Sequence, residues 1–266
     1  MKINLNADLG ESFGAWTMGE DAALLQVVGA ANIACGFHAG DPLVMRRTVR
    51  TALDAGVGLG AHPSYPDLQG FGRRPMQMAP AELEAALIYQ IGALAGMAAA
   101  EGGRLVHVKP HGALNNQACE DDALADVVAR AIRAFDRELI LLAPALSALV
   151  RAGERAGLRV AAEVFADRAY TDAGTLVPRR EPGAVLHDDE AVFAHVMCML
   201  DAGGIVSTTG KVMTTAMHSI CVHGDTPGAV ANARRLRAGL EGAGWRLVGV
   251  GEALGAWARN PLARDP

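Results

Sequence analysis

The sequence predicts an α/β barrel of parallel strands with its chemistry gathered at one rim. Short apolar runs alternate with helical stripes along the whole chain. Almost every run stops at a charged or imidazole side chain, and parallel strands separated by helices bring their carboxyl ends to one face. No Pro/Gly/Ser-rich linker, charge block, low-complexity tract or internal repeat divides the 266 residues. The expectation is therefore one barrel domain over residues 1–266, a length at which a single core is ordinary. Seven strand-helix units can be counted, one short of the familiar eightfold barrel. A doubly wound open sheet is the alternative, because alternation alone does not separate the two.

Taken in order, Asn4 to Ala7 runs into Asp8, Ile33 to Cys35 into His38, and Val57 to Ala61 into His62. Leu105 to Val108 runs into Lys109 and His111, Val160 to Glu163 into Asp167 and Arg168, and Ile220 to Val222 into His223 and Asp225. These runs read as near-continuously apolar, as strands covered on both faces do. Between them, Pro42 opens a helix with Met45, Val49, Ala52 and Leu53 on one face, and Gly56 stops it. A second helix from Pro80 carries Leu83, Leu87, Ile91 and Leu94. A third carries Leu124, Val128 and Ile132, followed by the run Leu139 to Leu142 and a short helix to about Gly157. Val192, Val196 and Leu200 mark another, and the last runs from Pro227 with Val230, Ala233, Leu236 and Leu240. Ile205 to Met217, broken at Thr209-Gly210, reads as a hairpin.

The formal net charge of −5 and an aromatic share of 5% speak against a nucleic-acid or anionic-membrane partner, since both a basic patch and a stacking platform are wanting. Cys35, Cys119, Cys198 and Cys221 form no C-x-x-C pair, so the expectation is a reducing, cytoplasmic location with Cys35 and Cys221 as buried small hydrophobes. No secretory signal is visible at the N-terminus. The apolar stretch Ala85 to Ala100, interrupted by Tyr89 and Gln90, reads as too short to span a bilayer.

The strand ends carry the motifs. In N-A-D-L-G-E-S, Asp8 and Glu11 stand three residues apart and suit acid and base roles, or one of them holds a lysine or a metal. In A-N-I-A-C-G-F-H-A-G-D-P, Asn32 and His38 are candidates, whereas Asp41 before Pro42 is first of all a helix cap. His62 ends its strand, and the loop from it to Arg74 reads as a substrate lid: Gly70 and Gly72 permit motion, and Phe71 and Arg73 close on a ligand. In V-K-P-H-G-A-L, Lys109 is one of three lysines in the chain. Beside His111 it suits polarising a carbonyl, binding a carboxylate, or acting as nucleophile or base once deprotonated; an ion pair with Asp8 or Glu163 is the structural alternative. E-V-F-A-D-R-A-Y supplies Glu163, Asp167, Arg168 and Tyr170, with Arg179 beyond. Arginine forks suit a substrate carboxylate. I-C-V-H-G-D-T-P supplies His223 and Asp225.

Together these motifs resemble the LamB/YcsF family, in order and over essentially the whole chain. The resemblance implies a seven-stranded β/α barrel of the glycoside hydrolase/deacetylase type. It also implies cleavage of 5-oxo-L-proline to L-glutamate with ATP as co-substrate, performed with two further subunits, B and C. On that reading Asp8, Glu11, His38, His62, Lys109 and His111 are catalytic. Asn32, Arg73, Glu163, Asp167, Arg168, Arg179, His223 and Asp225 bind substrate. One departure from the family pattern G-A-L-Y-N is Asn115, which stands where Tyr is expected. No G-x-x-x-x-G-K-[ST] loop occurs, so ATP is bound in a non-Walker way or with a partner's help. Two alternatives are a metal-dependent deacetylase or hydrolase acting alone, with Asp8, His38 and His62 as ligands of a divalent ion, and a non-catalytic lactam-binding subunit.

Overall fold

The computed structural model describes residues 1–222 and 228–257. In chain order its elements are β1 (Lys2–Leu9), α1 (Asp21–Leu24), β2 (Ala30–Ala34), α2 (Pro42–Asp54), β3 (Gly58–His62), α3 (Pro80–Ala100), β4 (Leu105–Val108), α4 (Gly112–Glu120) and α5 (Asp122–Phe135). They continue with β5 (Ile140–Pro144), α6 (Ala148–Arg155), β6 (Arg159–Phe165), α7 (Asp189–Ala202), β7 (Gly204–Val206), β8 (Val212–Thr214), β9 (Ser219–Val222), α8 (Ala229–Gly242), β10 (Arg246–Leu247) and α9 (Val250–Trp257). Neighbours from β1 to β6 pair in parallel, and β9 closes the ring by pairing with both β6 and β1. The result is a closed seven-stranded parallel barrel, which leaves the ring without an open edge. β7 and β8 form the antiparallel hairpin that the sequence suggests.

β1 shows how the sequence sets the two faces of the wall. Ile3, Leu5, Ala7 and Leu9 belong to the main hydrophobic core, and Asn4, Asn6 and Asp8 alternate with them. Alternate residues of a strand point to opposite faces. Asn4 and Asn6 bond to Ser219 of β9, and Asn6 also reaches Glu163 of β6, so the polar set lines the inside. The upper barrel interior is thus polar, which departs from the near-continuously apolar strands expected. His107 of β4 shares this interior opposite Gly60 of β3; a Cβ on Gly60 would run into the His107 ring. At the other end Ile140, Leu142, Ala161 and Val250 form an apolar cluster. α9 packs on β1, β4 and β6 and stoppers that end.

The helices follow their caps and stripes. Asp41 accepts from the backbone N–H groups of Leu43 and Val44 at 2.8 and 3.2 Å, with Pro42 in the first turn of α2. α3 is 21 residues long and apolar enough by length and composition to cross a bilayer, which corrects its reading as too short. It serves in the barrel wall, where Leu83, Leu87, Ile91 and Leu94 are buried. α4 was not foreseen because its sequence G-A-L-N-N-Q-A-C-E has no regular apolar stripe, and α9 and β10 lie beyond the last helix that the periodicity marks.

Gly60→Ala is expected to cost about 1–3 kcal/mol of unfolding free energy through overpacking, measured by urea denaturation. An unchanged midpoint would mean that His107 does not fill the barrel at this level.

Candidate active site

Lys109 follows β4 directly and is almost fully buried, 3% exposed. Its Nζ donates to Asp8 Oδ1 at 3.1 Å, Asn6 Oδ1 at 3.2 Å and Cys221 Sγ at 3.1 Å, and lies 3.2 Å from Glu163 Oε2. Burial works against the ammonium charge, but Asp8, Cys221 and Glu163 outweigh it and hold the pKa well above the ordinary lysine value. These partners favour the charged form of Lys109, the ion pair that the sequence reading set beside its use as a deprotonated nucleophile or base. Cys221, whose thiol burial pushes well up, is a hydrogen-bond acceptor for this cation rather than only a small hydrophobe. Asp8 Oδ1 also accepts from Asn32 Nδ2 at 2.8 Å, and Asp8 Oδ2 stands 3.4 Å from His62 Nε2.

Around Asp8 lie three imidazoles and a second carboxylate. His62 Nδ1 donates to the Lys109 carbonyl at 2.7 Å, and His111 Nε2 donates to the Phe71 carbonyl at 2.9 Å. With both outer nitrogens committed as donors, the inner ones, His62 Nε2 and His111 Nδ1, face each other at 3.0 Å. Two neutral rings would there oppose their lone pairs, so a proton or another Lewis acid belongs between them. Burial disfavours a charge on His62, yet Asp8 and Glu11 together raise its pKa above the ordinary imidazole value. His111 and His38 are driven well down, first by burial and then by the neighbouring histidines. Glu11 Oε1 lies 3.2 Å from His38 Nε2 and 3.4 Å from His111 Nδ1. One ligand atom from each of Glu11, His38, His62 and His111 falls within 4.8 Å of every other, so this cluster can hold a metal ion. It shares His38 and His62 with the set that the sequence suggested, but Glu11 and His111 join them in place of Asp8.

A cavity of about 500 Å³ opens above Asp8, His62, Lys109 and His111. Arg73, Arg168, Arg179, Tyr170 and the start of α4 stand in its wall, with the Phe165 ring 5.5 Å from Lys109 Nζ. Residues 173–179 of the segment after β6 form part of the wall. That segment is carried by the β7–β8 hairpin: Asp172 Oδ1 accepts from Ser207 and Thr209, each at 2.6 Å, and Lys211 Nζ donates to the Asp172 carbonyl at 2.9 Å. Arg168 braces the same segment from within, donating to the Val177 and Ala184 carbonyls at 2.7 and 3.3 Å.

Several expectations change in detail. Asn32 and Glu163 are fully buried and do not line this cavity; they support Asp8 and Lys109 from below rather than contact a ligand there. Asp167 is also absent from its wall. His38 and Glu11 stand behind the wall in the imidazole cluster. His223 and Asp225 lie outside the described residues. The loop after His62 is pinned, not poised as a lid: Gln90 of α3 brackets Ser64 through its N–H and carbonyl, each at 2.9 Å, and Asp67 pairs with Arg74. Its glycines provide close approach rather than motion. A Cβ on Gly72 would come within 2.8 Å of His111 Cδ2 and 2.9 Å of His38 Cβ. Phe71 beside it holds a φ of 54°, a strained backbone for a bulky residue, and presents the carbonyl that fixes His111.

Asn6 and His107 escaped the sequence reading, and Cys221 entered it only as a buried small hydrophobe. The period-two pattern Asn4-Asn6-Asp8 was the signal for the first, and the spacing of two between His107 and Lys109 for the second, since both share a strand face.

A closed parallel barrel with this rim defines a β/α barrel of the deacetylase type. A solved structure of T48 deacetylase with substrate matches it at TM-score 0.50 and 13% identity, covering 96% of this chain and 91% of that one, a likeness of fold alone. The chain belongs to the LamB/YcsF family, whose sequence profile matches residues 3–255. It is 78% identical over 252 residues to the A subunit of 5-oxoprolinase from Azoarcus sp. (strain BH72), covering 95% of this chain and 98% of that one. It is 55% identical over 255 residues to the corresponding A subunit from Methylococcus capsulatus, with 96% of each chain covered. The crystal structure of the lactam utilization protein from Thermus thermophilus matches at TM-score 0.89 and 42% identity, covering 94% of this chain and 100% of that one.

Lys109→Met strands the Asp8 and Glu163 carboxylates without their cation. A loss of about 3–5 kcal/mol is expected in urea denaturation, partly restored by adding Glu163→Gln; wild-type stability of the single variant would contradict the cluster. His107 titrates differently. Burial, then Lys109, hold its pKa down at about 3, against about 6.5 in an unfolded chain. The unfolded chain binds the extra proton below pH 6.5, so this contribution to stability is complete above that pH and drains away as pH falls. At pH 5 the loss amounts to about 2 kcal/mol. His107→Gln should remove that share of the acid sensitivity, and denaturation midpoints at pH 7 and 5 read it directly.

Proposed function

We propose that this chain acts as the A subunit of an ATP-dependent 5-oxoprolinase, opening the lactam of 5-oxo-L-proline to L-glutamate in company with subunits B and C. The reading is carried by one observation: a buried cation, Lys109, and the carboxylate of Asp8 meet at the floor of a rim cavity. The names of the relatives and of the lactam utilization protein supply the substrate class. Free cysteines at all four positions are consistent with a cytoplasmic setting, and the reading takes the chain as one domain.

A five-membered lactam is a stable amide. Opening it needs an activated carbonyl, a positive charge where the oxygen gathers electrons, and a group that takes the proton of water. Phosphorylation of the lactam oxygen by ATP would supply the activation, with the nucleotide bound in a non-Walker way or on a partner subunit. Lys109, preorganised and already desolvated, sits to stabilise the oxygen. Arg73 and Arg179 in the wall suit the ligand carboxylate. Asp8 Oδ1 accepts from Lys109 and Asn32, and Asp8 Oδ2, 3.4 Å from His62 Nε2, suits taking the proton of water.

The reading includes a divalent cation held by Glu11, His38, His62 and His111. The donor set fits it. Two of the three imidazoles turn their other N–H to a backbone carbonyl, as metal-bound histidines do, and their inner lone pairs converge with Glu11. When bound, such an ion would polarise the carbonyl or activate water.

The test is co-purification with subunits B and C, followed by a glutamate assay. Turnover is expected to need all three subunits and ATP, to fall about 100-fold or more in Asp8→Asn, and to fall on chelation. No glutamate from the assembled complex would refute the assignment. ATP-independent cleavage of an amide by this chain alone would favour the metal-dependent hydrolase.

A further inference from the structure

His107 plays no part in the chemistry above, yet it is a fully buried imidazole two residues from Lys109 on the inner face of β4. We propose that His107 is a positioning residue for Asp8: it dictates which way Asn32 presents its amide, and through Asn32 it orients the Asp8 carboxylate. The proposal rests on the lactam-cleaving reading only for its kinetic test.

His107 Nε2 lies 2.7 Å from Asn32 Oδ1, while His107 Nδ1 is buried with no hydrogen-bond partner. A proton on Nδ1 would leave a buried donor unpaired and set the Nε2 lone pair against an oxygen. A proton on Nε2 satisfies the contact, so the ring is the Nε2–H tautomer. That donor decides the asparagine. The two ends of an amide have nearly the same shape and are told apart only by their partners. With Oδ1 turned to His107, Asn32 Nδ2 donates one hydrogen to Asn6 Oδ1 and the other to Asp8 Oδ1, both at 2.8 Å. Flipped, Asn32 would oppose oxygen to oxygen at two places and N–H to N–H at a third. Asn6 is fixed in the same sense: its Oδ1 also receives Lys109, and its Nδ2 serves Glu163 and Ser219 at 3.2 and 2.8 Å. One donor at His107 therefore sets the direction of the hydrogen bond that commits Asp8 Oδ1 to Asn32, beside the one it accepts from Lys109. Asp8 Oδ2 then faces His62 Nε2 at 3.4 Å.

The barrel makes room for this ring at the cost of a side chain, because Gly60 pairs with His107 across the β3–β4 ladder and any Cβ there would overlap it.

The experiment separates the donor from the bulk. H107Q retains an N–H near the Nε2 position, H107M has similar length without it, and H107F is a second donorless filler should H107M fail to fold. In the complex with subunits B and C, kcat for glutamate release is expected to fall about 10–100-fold in the donorless variants, with KM little changed and most of the rate kept in H107Q. Wild-type kcat in a folded donorless variant, or an equal loss in H107Q, would overturn the proposal. A second readout needs no turnover: in a 15N-histidine spectrum of the wild-type chain His107 should show a slowly exchanging Nε2–H, and an Nδ1–H tautomer would overturn the proposal. Should the wild-type complex release no glutamate, the functional reading falls, and the tautomer still decides this one.

Discussion

One ammonium group holds the mouth of this barrel in shape. Lys109 Nζ meets side chains from β1, β6 and β9 at once, although its own backbone belongs to the end of β4. Desolvating such a charge costs several kcal/mol unless partners replace the lost water, and Asp8, Glu163, Asn6 and Cys221 are those partners. The polar interior follows from that need. Asn6 and Asn32 fill the gaps between the charges with donors and acceptors of fixed direction, and the apolar residues of the same strands face the helices instead.

The imidazole cluster is built outward from the same floor. His62 is anchored to the Lys109 carbonyl, so the residue that centres the charges also aims the ring beside them. His111 is anchored from the other side by Phe71, whose strained backbone persists because Gly72, Ser64 and Gln90 pack the loop against α3 and the rings. A precise arrangement of four ligand atoms thus depends on two backbone carbonyls, one from a strand end and one from a loop. The roof has a different origin. It hangs from the β7–β8 hairpin through Asp172 and from Arg168.

The rim was legible in the sequence because strand termination is local. Asp8, His62, Lys109 and His111 each close an apolar run, and parallel topology carries them to one place. Depth was not legible. Asn32 and Glu163 lie in apolar runs like those that end at the cavity, yet both are fully buried outside its wall, and only the packing of the closed barrel decides that. His107 passes for core because V-H-V lies inside an apolar run, and Gly60 gives no hint of its partner until β3 and β4 are aligned. The four possible metal ligands come from three loops and a strand end, so no linear spacing announces them. Glycines at 70 and 72 were open to two meanings, mobility or close approach, and only the packing of the loop chooses between them.

Everything above requires Lys109 to be charged where it lies. The chain has three lysines, so selective 13Cε-lysine labelling gives a spectrum in which each can be followed. On raising the pH, Lys109 should keep its ammonium shift to the highest pH at which the protein remains folded. Loss of the Lys109 proton at or below the ordinary lysine value of about 10.4 in the folded protein would contradict the account, because a neutral amine brings no charge to offset the paired carboxylates.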